Sequence, residues 1–331
     1  MTNTVNILSI DGGGIRGIMP AVILAGLENK LQQISGNAEA RLSGYFDFFA
    51  GTSIGGLLSC VYLAPNDNGL AGTKYSAAQA PEFYFAYAGN AFKPNKKQSP
   101  YESFHRYAPG GLESQLKLLF KDIKYSQLLK PCYITAYNVS LMKPCEFLSE
   151  QAKREPDSDY YVRDILRATS ALPGLFPPAN ICSLAGKGSC FVDGSLFAHN
   201  PAYNAYLQAK KIFPDARNFL VLSLGTGLVT SLSSDINISD NSYKNWAKLL
   251  AELSFGEFTS DTGLRFEEAF REASSSRYVR LQPSLEGLNT LPDDVTPQNI
   301  NELYARGQMF LMQNDNLLSE IARNLVEAAN S

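Results

Sequence analysis

Val5 to Ile10 is an apolar-rich run that ends at a glycine cluster, and from Met19 to Ile34 apolar residues recur at helical spacing. The pattern predicts a strand, a tight loop and a helix. Tyr45 to Ala50 is a second, aromatic-rich run, followed by Gly51-Thr52-Ser53-Ile54-Gly55-Gly56 and the apolar segment Leu57 to Leu63. The same arrangement therefore occurs twice. Further strands are predicted at Cys132 to Val139, Cys190 to Val192, Phe219 to Leu224 and Arg277 to Leu281, interleaved with helical patterns at Tyr161 to Ala171 and Pro201 to Phe213. Strands alternating with helices imply an α/β fold whose mostly parallel sheet is covered on both faces.

Ala64 to Pro109 interrupts this pattern. It is rich in Gly, Asn, Pro and Tyr and holds the basic stretch Lys93-Pro94-Asn95-Lys96-Lys97. Such a composition suits a solvated connecting loop, or a mobile surface segment or lid over a site. From Thr296 the pattern reads as helices packed on the sheet edge, which divides the chain into a main body over 1–295 and C-terminal helices of the same domain over 296–331. A chain of 331 residues that is 45% hydrophobic is long enough to bury one large core.

Composition narrows the function classes. A net charge of −3 and a pI near 5.6 give no clustered basic face for a polyanion, so nucleic acid is not an expected partner. The five cysteines, Cys60, Cys132, Cys145, Cys182 and Cys190, show neither CxxC spacing nor a neighbouring histidine pair. They read as small packing residues in a reduced compartment. The segment MTNTVNILSIDGGG has no basic n-region and no long apolar h-region, unlike a Sec signal peptide. The longest apolar run near it, Ile18 to Leu27, is far short of the roughly 20 residues that span a bilayer. A cytoplasmic location with peripheral membrane contact is expected, with export by a non-Sec route left open.

Three segments carry candidate chemistry. Gly51-Thr52-Ser53-Ile54-Gly55 fits the G-x-S-x-G elbow and sits where that motif must sit, between an apolar run and a helix. Gly51 and Gly55 leave room for the sharp turn, and the helix N-terminus favours charge developing at Ser53. A serine nucleophile needs a base. The two histidines are His105, in a loop-like segment with no motif, and His199. The stronger candidate is Asp193, which closes the run Cys190-Phe191-Val192 before Gly194 and Ser195, at the C-terminal edge expected of a parallel sheet. A plain turn aspartate followed by glycine fits the same residues. In Asp11-Gly12-Gly13-Gly14-Ile15-Arg16-Gly17, consecutive glycines let backbone N–H groups converge as an oxyanion hole requires, with Arg16 as loop anchor. The cluster also satisfies G-x-G-x-x-G. Against a dinucleotide stand Asp11, a carboxylate beside the pyrophosphate, and the lack of an acidic residue closing a strand about 20 residues on.

Taken in order, these segments resemble the patatin-like phospholipases: DGGGIRG first, GTSIG next, DGS in the later half. Thr169 to Pro178, His199-Asn200-Pro201 and Leu222-Ser223-Leu224-Gly225-Thr226-Gly227 add to the likeness, which runs from about Val5 to Gly227. The resemblance implies a three-layer α/β/α fold, a Ser–Asp dyad without histidine, and ester hydrolysis on phospholipids, lysophospholipids or galactolipids at a membrane or micelle surface. On this chain it implies Ser53 as nucleophile, Asp193 as base, the amides of Gly12, Gly13 and Gly14 as oxyanion hole, no metal and no cofactor. Two positions depart from the family pattern. Ser195 stands where glycine or alanine is usual, bringing a hydroxyl within reach of Asp193. His199 stands where asparagine is frequent, and a structural role is expected for it. Two other readings stay open here: a binding module using the glycine loop for a nucleotide or protein partner, and an enzyme gated by a protein or small-molecule activator, since several members of the family act as toxins or defence effectors.

Overall fold

The computed structural model describes residues 4–67, 71–94, 105–228, 259–271 and 275–330. Asn95, Lys96 and Lys97 of the basic stretch lie outside them. The apolar runs become strands and the periodic segments helices, in the order β1 Thr4–Ile10, α1 Ile18–Ser35, β2 Phe48–Thr52, α2 Ile54–Leu63, α3 Ala80–Ala91, α4 Pro109–Phe120, β3 Cys132–Asn138, β4 Lys143–Leu148 and α5 Ser149–Ala152. There follow α6 Val162–Thr169, β5 Ala179–Cys182, β6 Gly188–Asp193, α7 Ser195–Ala198, α8 Ala202–Ile212, β7 Asn218–Leu224, α9 Thr259–Ala269, β8 Arg277–Leu281, α10 Pro297–Gln313 and α11 Asp315–Ala329.

Every residue of β2, and all of β1 after Thr4, is buried. Continuous apolar runs of this kind belong to strands covered on both faces. Alternation divides them: Leu8, Ile10 and Phe49 join the larger core under α1, α2, α4 and α6, while Val5, Ile7, Phe48 and Ala50 join a second core with α8 and Phe266 of α9. The result is a three-layer α/β/α fold. β1 lies between β2 and β7, both parallel to it; β3 extends the parallel set beyond β2, and β8 extends it beyond β7. Among the described residues no helix is long and apolar enough to cross a membrane.

The structure departs from the sequence pattern at three places. First, the strand that ends in Asp193 is antiparallel: β6 pairs with β3 as Ala136↔Asp193 and Asn138↔Phe191. β4 pairs with β3 along Tyr133 to Asn138 and takes one whole edge, so β2 and β6 share the other. They approach along that edge from opposite directions and meet end to end beside Thr135. Asp193 thus reaches the C-terminal edge of the parallel strands from the opposite direction, on a strand of the same sheet. Second, part of 64–109 is not a loop, because residues 80–91 form α3, started by Pro81 in its first turn and held by buried Tyr84 and Ala88. Third, the helices after Thr296 pack on α1. Gly307 fits against Met19 and Val22. Contact with the edge strand β8 comes through the Arg277–Glu320 ion pair at 2.8 Å.

Candidate active site

Ser53 occupies the turn between β2 and α2 with φ 54° and ψ −120°, a conformation costly for any residue with a Cβ. The flanking glycines are sterically required. A Cβ on Gly51 would lie 2.2 Å from the carbonyl carbon of Gly55, and one on Gly55 would lie 2.1 Å from the Ile10 oxygen. The turn is fastened from α6, where Thr169 Oγ1 accepts a hydrogen bond from the Ser53 amide at 2.7 Å.

Asp193 is fully buried where β6 meets the end of β2. Its Oδ1 accepts the Ser195 amide at 2.8 Å, while Oδ2 has no hydrogen-bond partner among the described residues. Burial pushes the carboxyl up to about 6; the Ser195 amide and the nearby hydroxyls of Ser53 and Ser195 act in the opposite sense. Gly194 lets the chain cross β3 closely, since a Cβ there would lie 2.2 Å from Thr135 Oγ1. Thr52 Oγ1 contacts Thr135 Oγ1 at 2.7 Å and donates to the Ala198 carbonyl at 2.6 Å, joining the strand ends to α7.

The glycine loop follows β1 and is clamped from distant parts of the chain. Gly13 (φ 150°) and Gly14 (φ 58°) have no space for side chains: Thr226 Oγ1 and the Pro292 oxygen would each lie 2.1 Å from an added Cβ. The Thr226 hydroxyl donates to the Gly12 carbonyl, and the Ile15 amide donates to the Pro292 carbonyl at 2.8 Å. Arg280 of β8 grips both carboxylate oxygens of Asp11, its Nη1 reaching Oδ1 at 2.9 Å, and also donates to Ser223 Oγ at 2.8 Å. Arg16 is buried, with Nε donating to the Gly13 carbonyl at 3.3 Å, and Gly17 lets Tyr84 and Ile54 close over the loop.

One expected donor must be withdrawn. The Gly12 amide already donates to the His199 carbonyl at 3.2 Å, so it is not available to an oxyanion. The amides of Gly13 and Gly14 donate to no acceptor among the described residues. His199 lies against Gly12, and burial, followed by the charges of Arg16 and Arg280, pushes its imidazole down to about 3, so it is neutral. His105 belongs to none of these loops; it precedes Arg106 and Tyr107 on the way into α4.

An apolar pocket opens beside Ser53 and Gly14. Its walls are Ile54 and Leu57 of α2, Phe83, Tyr84 and Tyr87 of α3, Leu112, Leu116 and Leu119 of α4, and the turn Leu172, Leu175 and Phe176. Pro292 closes the side next to the glycine loop, and the adjacent Asp293 accepts hydrogen bonds from Arg106 at 2.7 Å and Tyr107 at 2.8 Å. The structure thus brings Ser53, Asp193 and the glycine loop together. Arg280, Asp293 and Thr169 escaped the sequence reading. Thr169 and Thr226 lay in segments already singled out, whereas Arg280 is one of two arginines in Arg277-Tyr278-Val279-Arg280-Leu281 and carries no local signal.

Residues 8–206 match the family model described as patatin-like phospholipase. Patatin-like protein 6 of Arabidopsis thaliana is 31% identical over 93% of this chain and 65% of its own length. Patatin-like protein 2 of the same plant is 31% identical over 93% of this chain and 83% of its own, and patatin-04/09 of Solanum tuberosum is 29% identical over the same shares. The chain therefore spans just under two thirds of the first of these relatives and most of the other two.

Proposed function

The chain belongs to the patatin-like phospholipase family, and from that membership we propose that it cleaves fatty-acyl esters of membrane lipids through an acyl-enzyme on Ser53, with Asp193 as base. The observation that carries this reading is the buried Asp193 Oδ2, without a hydrogen-bond partner among the described residues, in a carboxylate that the Ser53 hydroxyl faces at the head of an apolar pocket. A carboxylate held near neutrality by burial is a far better proton acceptor than one in water, so a histidine is not needed.

In the first step Asp193 takes the Ser53 proton as the hydroxyl oxygen attacks the ester carbonyl, whose acyl chain lies in the pocket. The carbonyl oxygen becomes an oxyanion within reach of the Gly13 and Gly14 amides. These are pre-set by the clamps of Thr226, Pro292 and Arg280, and so cost little reorganisation. Collapse expels the alcohol or lysolipid, which takes the proton back from Asp193. A water then gives its proton to Asp193 and attacks the acyl-enzyme, and the fatty acid leaves as Ser53 is reprotonated. The positive φ at Ser53 fits this chemistry, since it holds the hydroxyl at the turn rather than folded back along α2.

The test is fatty-acid release from defined phospholipids, lysophospholipids and galactolipids. Release by the wild type, reduced by about a thousandfold or more in both Ser53→Ala and Asp193→Asn, is expected. Undiminished release by Ser53→Ala would overturn the proposal.

A further inference from the structure

The hairpin that joins β3 to β4 points Val139, Leu141 and Met142 into solvent, with Met142 73% exposed. We propose that this hairpin tip docks the protein on an anionic lipid bilayer; the proposal rests on the acyl-hydrolase reading above and names the surface that meets the substrate.

Position is the first argument. Thr135 lies beside Thr52, the residue before Ser53. Continuing from Thr135 to Ser140 at the rise of an extended strand carries the chain roughly 15 Å past the candidate active site on the same side of the sheet. The tip therefore projects from the same end of the sheet at which Ser53 lies. Construction is the second. Asn138 is buried and its Oδ1 accepts the Leu141 amide at 3.0 Å. Ser140 Oγ accepts the Cys190 amide at 3.1 Å, and the Val139 amide donates to the Cys190 carbonyl at 2.9 Å. These bonds fix a turn whose last residue, Met142, has φ 50°, a conformation in which glycine or asparagine is the usual choice. A methionine there spends backbone strain to keep an apolar side chain outside the fold.

Charge selects the occupant. Neither residues 138–145 nor the adjoining β5–β6 turn, residues 183–187, contains an acidic side chain, although the whole chain is net negative at −3. Lys143 and Lys187 are both exposed there. Apolar side chains at a tip, flanked by lysines and free of acids, match the acyl and headgroup layers of an anionic bilayer. A second copy of the chain fits poorly, because a stable protein interface needs roughly 800 Å² per partner, far more than one turn presents.

The test compares the wild-type 331-residue chain with Leu141→Glu/Met142→Glu on vesicles of phosphatidylcholine and phosphatidylglycerol, and on a soluble short-chain nitrophenyl ester. Vesicle binding by sedimentation should fall about tenfold or more in the variant, from the lost burial of two large side chains. Vesicle-lipid hydrolysis should fall with it, while soluble-ester hydrolysis stays within about twofold. In a Trp246→Phe background, Met142→Trp fluorescence should shift to the blue when vesicles are added. Unchanged vesicle binding by the double variant, or an unshifted tryptophan, would overturn the docking surface even if both substrates are cleaved. Tip-dependent vesicle binding by a wild type that cleaves neither substrate would keep the surface and remove the hydrolase reading. Loss of self-association in the variant, with vesicle binding intact, would assign the tip to a second copy and refute the proposal.

Discussion

At Asp193 the same physical cause governs catalysis and stability. Its carboxyl ordinarily titrates near 3.8, and burial in the folded chain pushes it up to about 6. If it is the base, hydrolysis should fall about tenfold per pH unit below about 6 and level off above, which a pH–rate profile on a soluble ester reads directly. The stability effect has a definite sign. With the folded value above the unfolded one, the group's contribution is present below about pH 3.8 and lost as pH rises through about 6. At neutral pH the buried charge is therefore a cost of about 3 kcal/mol, at 1.36 kcal/mol per pKa unit. Asp193→Asn should be inactive yet more stable than wild type at pH 8, by up to about that amount, with little difference at pH 4. Denaturant unfolding at the two pH values would expose the error if the variant were the less stable at pH 8. Ser53, Asp193 and the glycine loop were legible in the sequence because close packing at Gly51, Gly55 and Gly194 restricts those positions to glycine. The state of the Gly12 amide was not, because its acceptor is a backbone carbonyl that any residue at position 199 would supply.

Among elements, those with strong internal patterning were readable and those defined by their neighbours were not. β1, β2 and β7 are buried apolar runs; β4, Lys143–Leu148, is an edge strand with four of its first residues partly or fully exposed, and β5 has four residues. Strand direction was equally hidden, because the sequence of β6 is the same whether it joins the parallel set or opposes it. The meeting of β2 and β6 at their C-terminal ends is what sets Asp193 opposite Ser53, so the site depends on pairing rather than on either strand alone. The glycine loop shows a similar dependence on a distant strand. Arg280 of β8 holds Asp11, whose side chain is only 1% exposed, and removing one partner of such a pair leaves a buried uncompensated charge. Arg280→Ala is expected to destabilise the fold by about 3–5 kcal/mol, and to reduce kcat for a soluble ester at temperatures where it stays folded. Arg280→Lys restores charge but not the two-pronged grip, so it should recover stability better than kcat. Equal recovery of both would mean that Arg280 supports the fold without positioning the loop.

Across the whole molecule, α1 links the glycine loop to the end of the chain. It begins immediately after Gly17, lines the larger core with Ile18, Ile23, Leu24 and Leu27, and is covered by α10 and α11. The C-terminal pair buries Ile300, Leu303, Leu318, Ile321, Leu325 and Val326, none more than 9% exposed. At about 1.5–3 kcal/mol for each large aliphatic side chain, their burial contributes on the order of 10 kcal/mol before the entropy of ordering two helices is subtracted. That is comparable with the whole stability of an ordinary domain, about 5–15 kcal/mol. We therefore infer that residues 296–331 belong to one cooperative unit with the main body. A chain ending at Val295 should lose its single sharp thermal transition and expose apolar surface to a hydrophobic dye. Because the uncovered helix is the one that seats the glycine loop, any folded fraction should have lost ester hydrolysis as well. A truncated chain that unfolds sharply and hydrolyses ester at the wild-type rate would make the two helices an independent addition, and the order of 10 kcal/mol assigned to their burial would have to be matched by their own ordering cost.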